Sequence, residues 1–197
     1  MLRMITTLRK TTDRRRWADT RNIYPSWEPR NTQLAALVPK NSRVIEFGAG
    51  KRVFERHLDP SCTYVPSDIV DRGPGTLVCD LNDRPLPALG PDRYDVAVFS
   101  GVLEYVRDVP SLIDWLATCV TGCVLTYAPA RAGGRSPRAV LEKASRVRHG
   151  WMNSLRVEEL RSLFRERGFE LVTEEQWEGQ HLFAFSRPTG ADTHRLG

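Results

Sequence analysis

Three carboxylates stand at the ends of successive apolar segments of the chain. Glu46 lies in VIEFGAG, Asp68 in YVPSDIV and Asp80 in VCDLND. A carboxylate that ends the second strand of a nucleotide-binding half can accept hydrogen bonds from both ribose hydroxyls. One that ends the next strand can accept from an exocyclic amine such as that of adenine. Each acid alone is more typical of a turn or a helix cap, but together at this spacing they predict an adenosine site.

Two glycines follow the first of these acids. Gly48 and Gly50 allow a tight turn and leave no Cβ between the backbone and a ligand. The dinucleotide pattern GxGxxG requires a third glycine, and Val53 stands there, while the phosphate-binding pattern GxxxxGK[ST] does not occur. Glu46 just before the glycines would repel a pyrophosphate and suits an ammonium group. The sequence therefore predicts an adenosine cofactor with a cationic end.

These residues need a parallel sheet to bring them together. Short apolar segments alternate with helical patterns, which is typical of an α/β fold whose ligands bind at the carboxyl ends of the strands. Strands are predicted at 43–47, 62–66, 76–79, 94–99, 123–127, 169–173 and 182–186, and helices at 31–39, 51–58, 109–119 and 157–167. Asp108 is predicted to cap the helix at 109–119, and Gly168 to end the helix at 157–167.

Composition fits one globular domain. The chain has 197 residues, of which 41% are hydrophobic and 27% charged, and this excludes a disordered or coiled-coil protein. No apolar run approaches the roughly 18 residues that span a bilayer. The first residues lack the apolar centre of a secretory signal, so a cytoplasmic protein is expected, with a transit peptide as the alternative. The four cysteines lack metal-site spacing and are expected to be small core residues in a reducing compartment.

The positive charge is concentrated in two segments. Residues 1–22 hold seven basic and two acidic residues and so carry the whole net charge of +5. Residues 131–148 hold six basic residues against Glu142. Local excess of this kind indicates an anionic partner, and the alternative is two solvated surfaces. We expect the basic extension 1–30 to act as a lid, closed by the aromatic residues Trp17, Tyr24, Trp27 and Trp151. Arginines drawn from Arg14–Arg16 and Arg131–Arg148 would hold a carboxylate or phosphate of the acceptor.

From residue 41 to 187 the sequence resembles the class I S-adenosylmethionine-dependent methyltransferases. VIEFGAGKRVFERHL is similar to the first motif of that family, YVPSDIV to the second and VCDLND to the third. YDVAVFSGVLEYVRDVPSLIDWL resembles the fourth strand with its following helix, and VEELRSLFRERGFELV resembles the last helix and sixth strand. The sequence departs from the family pattern at Arg52, which stands at the third glycine, and at Tyr105, which stands at a frequent histidine.

The resemblance implies a doubly wound, mostly parallel seven-stranded sheet with the last strand antiparallel and S-adenosylmethionine as cofactor. The link after strand two is too short for a helical crossover, and the link after strand three is rich in proline rather than helical, so an abbreviated form of this fold is expected. Residues 31–187 would form the methyltransferase domain, preceded by the extension 1–30 and followed by a flexible tail at 188–197. The implied cofactor-binding residues are Glu46, Gly48, Gly50, Asp68, Ile69, Asp80, Leu81 and Ser100.

The expected activity is methyl transfer to a small-molecule or glycan acceptor, with an anionic acceptor favoured by the basic clusters. The chain has no [DNS]PP[YFW] motif, no Pro-Cys nucleophile and no added nucleic-acid-binding domain. An RNA or protein methyltransferase that uses the basic extension is the first alternative, and a non-catalytic adenosine-binding subunit is the second. No metal or membrane partner is expected, and the oligomeric state stays open. No catalytic residue is assigned, although His149 is one candidate general base.

Overall fold

The computed structural model describes residues 7, 9–89, 94–131 and 136–188. They form a seven-stranded sheet in the order β3-β2-β1-β4-β5-β7-β6. Neighbouring strands are parallel except that β7 runs antiparallel to both β5 and β6. The predicted α/β class and antiparallel last strand are confirmed. The strands are β1 Arg43–Phe47, β2 Thr63–Asp68, β3 Leu77–Val78, β4 Val96–Phe99, β5 Gly122–Tyr127, β6 Glu170–Trp177 and β7 Gln180–Ser186.

Helices connect some of the strands. The α-helices are α1 Arg14–Ala18, α2 Glu28–Ala36, α3 Val109–Leu116, α4 Pro137–His149 and α5 Val157–Arg165. Short 3-10 turns cover Thr20–Asn22, Pro25–Trp27, Phe54–His57 and Leu103–Tyr105. Asp108 caps α3 by accepting from the Ser111 N–H, and Gly168 adopts the predicted left-handed conformation after α5.

Two helix predictions are corrected. The helix predicted at 51–58 is only the 3-10 turn Phe54–His57, because the preceding turn continues through Arg52 at φ +55° and leaves too few residues before Pro60. The helix predicted at 31–39 begins three residues earlier, at Glu28, where a proline at the next position favours a helix start. This earlier start brings Arg30 into α2, where it is buried.

Apolar side chains cover both faces of the sheet. Along β1, Val44 packs against α2 on one face, while Ile45 and Phe47 pack on the other face in the core formed with α3 and α5. The same alternation holds along β4. A parallel sheet buried on both faces reads as a continuous apolar sequence, and its packing fixes the positions of the strand ends.

The link after β2 spans only residues 69–76, whereas the longer link after β3 begins at residue 79. Among residues 69–76 and 79–89 no helix forms, as the sequence predicted. Three of the four free cysteines are buried and Cys62 is partly exposed. No helix in the described part of the chain is long and apolar enough to cross a membrane.

Candidate functional site

A cavity of about 280 Å³ opens at the carboxyl ends of β1, β2 and β4. Parallel strands end at the same edge of the sheet, so the segments that follow them meet there. All eight residues predicted to bind the cofactor line this one cavity: Glu46, Gly48, Gly50, Asp68, Ile69, Asp80, Leu81 and Ser100. Their contacts with a cofactor stay a prediction.

The turn after β1 keeps its backbone open to the cavity. Gly48 has φ +72° and Gly50 has φ +56°, a conformation that disfavours side chains. A Cβ at Gly48 would lie 2.5 Å from the Cγ2 atom of Val102. Arg52, at the position of the third family glycine, adopts the same left-handed conformation at φ +55°, and Glu55 holds its guanidinium at 2.9 Å. The arginine therefore leaves the turn intact.

Glu46 is a buried acid at the base of the cavity. It is 3% exposed and accepts a hydrogen bond from the Tyr64 hydroxyl. Burial raises the pKa of Glu46 to about 8. Its carboxyl group is therefore largely protonated at neutral pH, and a cationic ligand group beside it would favour the ionised form.

Asp68 ends β2 and is already bound within the protein. The Gly50 N–H donates to its Oδ2 atom at 2.9 Å, so the carboxylate ties the glycine turn to the second strand. Arg72 forms an ion pair with the same oxygen, with Nε and Oδ2 3.2 Å apart. The contacts to the other oxygen are longer, 3.3 Å from Arg72 and 3.4 Å from the Val70 N–H. That oxygen is the better placed of the two to accept from a ligand.

Asp80 is bound by the chain's N-terminal segment. Its Oδ1 atom accepts from the Thr12 hydroxyl at 2.8 Å and from the Asn82 N–H at 3.0 Å. The Arg14 guanidinium lies 3.1 Å from Oδ2 and also binds Asp83. A contact between Asp80 and adenine would therefore share the carboxylate with these partners.

Sequence reasoning missed two residues of α2. Arg30 is 5% exposed, and it donates to the Ser100 carbonyl at 3.3 Å. Its Nε has no hydrogen-bond partner among the described residues. Burial lowers the pKa of Arg30, and the charges of Glu104 and Glu46 oppose this effect. Asn31 accepts from the Ser100 hydroxyl. The i, i+4 spacing of Arg30 and the core residue Leu34 places both on one face of a helix. The predicted helix at 31–39 left Arg30 outside, so this spacing was not recognised.

The arm, defined as residues 9–27, forms the other wall of the cavity. Trp17 packs edge-on against Tyr105 with ring centroids 4.9 Å apart, and the Arg16 guanidinium lies 4.1 Å from the Trp17 ring. Arg16 also donates to the His149 carbonyl at 2.8 Å, and its buried Nε has no partner in the described part of the chain. Met152 lines the same side. These contacts give the arm a defined place over the strand ends.

The arginines of the two basic segments make different contacts. Arg146 is buried in the protein, where it donates to the Ala128 carbonyl at 2.8 Å and the Tyr127 hydroxyl at 3.2 Å, and it does not line the cavity. Arg14 binds acids of the protein itself. Among the described arginines of the two basic segments, Arg16 is the one that lines the cavity.

The described histidines lie outside the cavity lining. His149 contacts the Ser145 carbonyl at 2.8 Å and stacks on Trp151, so the structure does not place it as a base in this site. His57 pairs with Glu28 and His181 with Glu174. His194 lies outside the described residues.

The donor set fits S-adenosylmethionine. A buried acid and a buried arginine with an unpartnered N–H, Glu46 and Arg30, suit the ammonium and carboxylate of an amino acid. Gly48 and Gly50 leave space for the chain between, and Asp68 has an oxygen with only long contacts for the ribose. No cluster of the described residues could hold a metal ion.

Residues 15–174 match the sequence model of a family described as "Methyltransferase domain". The chain belongs to this methyltransferase family. The predicted membership in the class I S-adenosylmethionine-dependent methyltransferases is confirmed, and S-adenosylmethionine is the methyl donor of these enzymes. A search of curated proteins found no match.

Solved methyltransferases share the fold. The S-adenosylmethionine-dependent methyltransferase of Mesorhizobium loti is 20% identical, with a TM-score of 0.59 over 79% of this chain and 96% of its own. The 1,6-didemethyltoxoflavin-N1-methyltransferase of Burkholderia thailandensis, solved with its substrate and S-adenosylhomocysteine, is 15% identical, with a TM-score of 0.63 over 87% and 82%. Human N-acetylserotonin methyltransferase, solved with S-adenosylmethionine, is 13% identical, with a TM-score of 0.66 over 94% and 59%.

At these sequence identities, the similarities show only that the fold is shared. The chain spans 59% of the human enzyme and 54% of the pyocyanin biosynthetic protein PhzM, which also shares the fold.

Proposed function

We propose that this protein transfers the methyl group of S-adenosylmethionine to a small molecule bound beneath the arm. The observation that carries the proposal is the cavity itself, with strand-end acids and glycines on one wall and the arm on the other. The acceptor side is aromatic and apolar, formed by Trp17, Tyr105 and Met152. A cavity with this lining suits a small acceptor with an apolar, planar part.

The eight predicted residues would hold the cofactor along the strand ends. Glu46 and Arg30 would bind the ammonium and carboxylate of the methionine end, and Ser100 lies beside Arg30. Asp68 and Ile69 would hold the ribose. Leu81 and Asp80 would contact the adenine, with Asp80 also bound to the arm.

The bound cofactor supplies an activated methyl group that is transferred with loss of a neutral thioether. The protein's main task is then to align the acceptor atom with that methyl group. Trp17 and Tyr105 would limit the access of water to the acceptor side of the cavity. The turn at Gly101, which also lines the cavity, is held by its N–H bond to the Thr126 hydroxyl at 2.8 Å. No histidine lines the cavity in the described part of the chain. We therefore infer an acceptor whose nucleophilic atom is an amine or a readily ionised hydroxyl.

An anionic group on the acceptor is supported by Arg16. Its Nε is buried without a partner among the described residues, while its ring partner Trp17 and the His149 carbonyl fix the guanidinium. Arginine binds carboxylates and phosphates through a planar set of donors. The arm's position over the cavity favours a small acceptor over RNA or a folded protein.

The experiment is an acceptor screen that measures S-adenosylhomocysteine release. Planar aromatic acids with amino or hydroxyl groups, their neutral amides, oligosaccharides, RNA and unfolded protein would be compared with the wild-type chain and the Asp68→Ala variant. We expect turnover with aromatic acids and weaker turnover with the matched amides, and Asp68→Ala should reduce both. Turnover confined to RNA or protein would overturn the proposed acceptor class.

A further inference from the structure

Arg72 connects the predicted ribose acid to the arm. Its side chain is 7% exposed and pairs with the Asp68 carboxylate, which is 6% exposed. The same guanidinium donates to the backbone carbonyls of Trp17 and Ala18, the latter at 3.2 Å. One buried cation thus joins the end of β2 to the end of α1.

We propose that Arg72 is a positioning residue that couples cofactor occupancy to closure of the arm. A buried carboxylate and a buried guanidinium stabilise each other, and removing one leaves the other uncompensated. The orientation of the Asp68 carboxylate therefore fixes the orientation of Arg72. Because the remaining donors of Arg72 hold the arm, a ribose that fixes Asp68 also stabilises the closed arm. This inference rests on the proposed cofactor site.

The geometry of arginine is what allows this coupling. Its planar fork presents donors in several fixed directions, so one side chain reaches a carboxylate and two carbonyls at the same time. A lysine would keep the charge beside Asp68 but would lack the fixed fork. Arg72→Lys therefore separates charge neutralisation from the link to the arm.

The ion pair of Arg14 in the arm with Asp80 is less suited to this role. The Arg14 side chain is 53% exposed where it meets Asp80. Exposed ion pairs contribute little because water and salt screen them. Gly50 also links Asp68 to the arm. Its N–H donates to the Asp68 carboxylate, and a Cβ at Gly50 would lie 3.0 Å from the Ile23 side chain of the arm. The glycine turn, the ribose acid and the arm are therefore in contact.

Tryptic cleavage of the full chain tests the coupling. The arm carries cleavage sites at Arg14, Arg15, Arg16 and Arg21. Cleavage there would be followed by mass spectrometry with and without S-adenosylhomocysteine, at concentrations that calorimetry shows to saturate each variant. In the wild type we expect saturating ligand to slow arm cleavage about tenfold, within the usual range of coupling between two sites.

Arg72→Lys should still bind S-adenosylhomocysteine, but saturation should slow its arm cleavage less than about twofold. The matched control is Arg43→Lys, which alters an arginine–aspartate pair at the start of β1, remote from the cavity, and should behave as the wild type. A structural role alone would weaken binding in Arg72→Lys but restore full protection at saturation. Full protection in that variant, or binding without protection in the wild type, overturns the inference while leaving the proposed function intact. Absence of binding to the wild type contradicts the proposed function itself.

Discussion

The two walls of the cavity are built in different ways. The strand-end wall follows from a sheet buried on both faces, and its glycines and acids stand where parallel strands stop. The arm wall has no buried residue in α1 and is held by ion pairs, carbonyl contacts and the packing of Trp17 on Tyr105. Packing fixes the first wall, whereas polar contacts make up most of the contacts that hold the second. We therefore expect strand-end changes to affect binding more than arm changes.

The largest effect is expected from Gly48→Ala. The new Cβ would combine a left-handed backbone with a contact of 2.5 Å to Val102, so either the turn or the Val102 side chain must shift. We expect a loss of about 3–5 kcal/mol in the free energy of unfolding from the backbone strain and the overpacking together. Chemical denaturation and a titration with S-adenosylhomocysteine would measure stability and binding.

Gly75→Ala is the matched control for this change. Gly75 has φ +81°, but a Cβ there meets nothing within 4 Å. It should cost only the strain of about 1–2 kcal/mol. Equal losses in the two variants would show that the space around the first turn is not limiting.

Asp68→Ala is expected to have the next largest effect. It removes the predicted ribose contact and the Gly50 hydrogen bond, and it leaves Arg72 buried beside an empty space. Affinity for S-adenosylhomocysteine should fall by about 1.5–3 kcal/mol, as for a hydrogen bond to a charged group. Asp71→Ala, which removes only an exposed contact to the Gly73 N–H, is the calorimetric control. Similar affinities for the two variants would be evidence against the ribose assignment.

Glu46→Gln should change the pH dependence of stability. The pKa of Glu46 is raised from 4.5 to about 8 by burial, so the folded state binds a proton that the unfolded state releases. The stability of the wild type should therefore fall as pH rises from about 4.5 to about 8, and the variant should lack this loss. Denaturation curves at pH 5, 7 and 9 test the effect, with Glu55→Gln as the control. A wild-type curve that matches the variant across this range would refute the buried-acid assignment.

Ligand affinity should move in the opposite direction for the same group. The ionised form of Glu46 is the one that attracts an ammonium group, so S-adenosylhomocysteine should bind the wild type more tightly as pH rises toward 8. Glu46→Gln should bind more weakly and lose this pH dependence. Calorimetry at the same pH values provides the comparison.

Arg14→Ala should have the smallest effect. The arginine is half-exposed and meets Asp80 and Asp83 at the surface. We expect a loss of no more than about 1 kcal/mol in the affinity for S-adenosylhomocysteine at low salt and less at high salt. A loss of affinity as large as that of Asp68→Ala would show that the arm contributes as much to binding as the strand ends do.

The strand-end wall could be predicted because its rules are local. Glu46, Gly48 and Gly50 follow one apolar segment, and Asp68 follows the next, so a parallel sheet brings them to one edge without further information. The arm could not be predicted in this way. Its contacts join residues far apart in the chain, such as Thr12 with Asp80 and Arg72 with Ala18. The hydrophobic periodicity of the sequence gives no indication of such polar contacts.

The roles of single arginines mark the other limit of what the sequence can predict. Arg146 belongs to a basic segment that suggested an anion site, yet it is buried against carbonyls of the protein. Arg52 stands where the family has glycine, yet its backbone adopts a left-handed conformation and its guanidinium pairs with Glu55. In both cases the sequence shows the residue type, but the role of the residue depends on its contacts in the folded protein.

The most direct test of the central claim is a calorimetric titration of the full chain with S-adenosylhomocysteine, with NAD as the control ligand. The acids and glycines at the strand ends should bind one equivalent at micromolar or lower concentration, about −8 kcal/mol or stronger. NAD should produce no heat and should not compete, because Val53 replaces the glycine that a pyrophosphate requires. Absence of S-adenosylhomocysteine binding, or equal binding of NAD, would contradict the account.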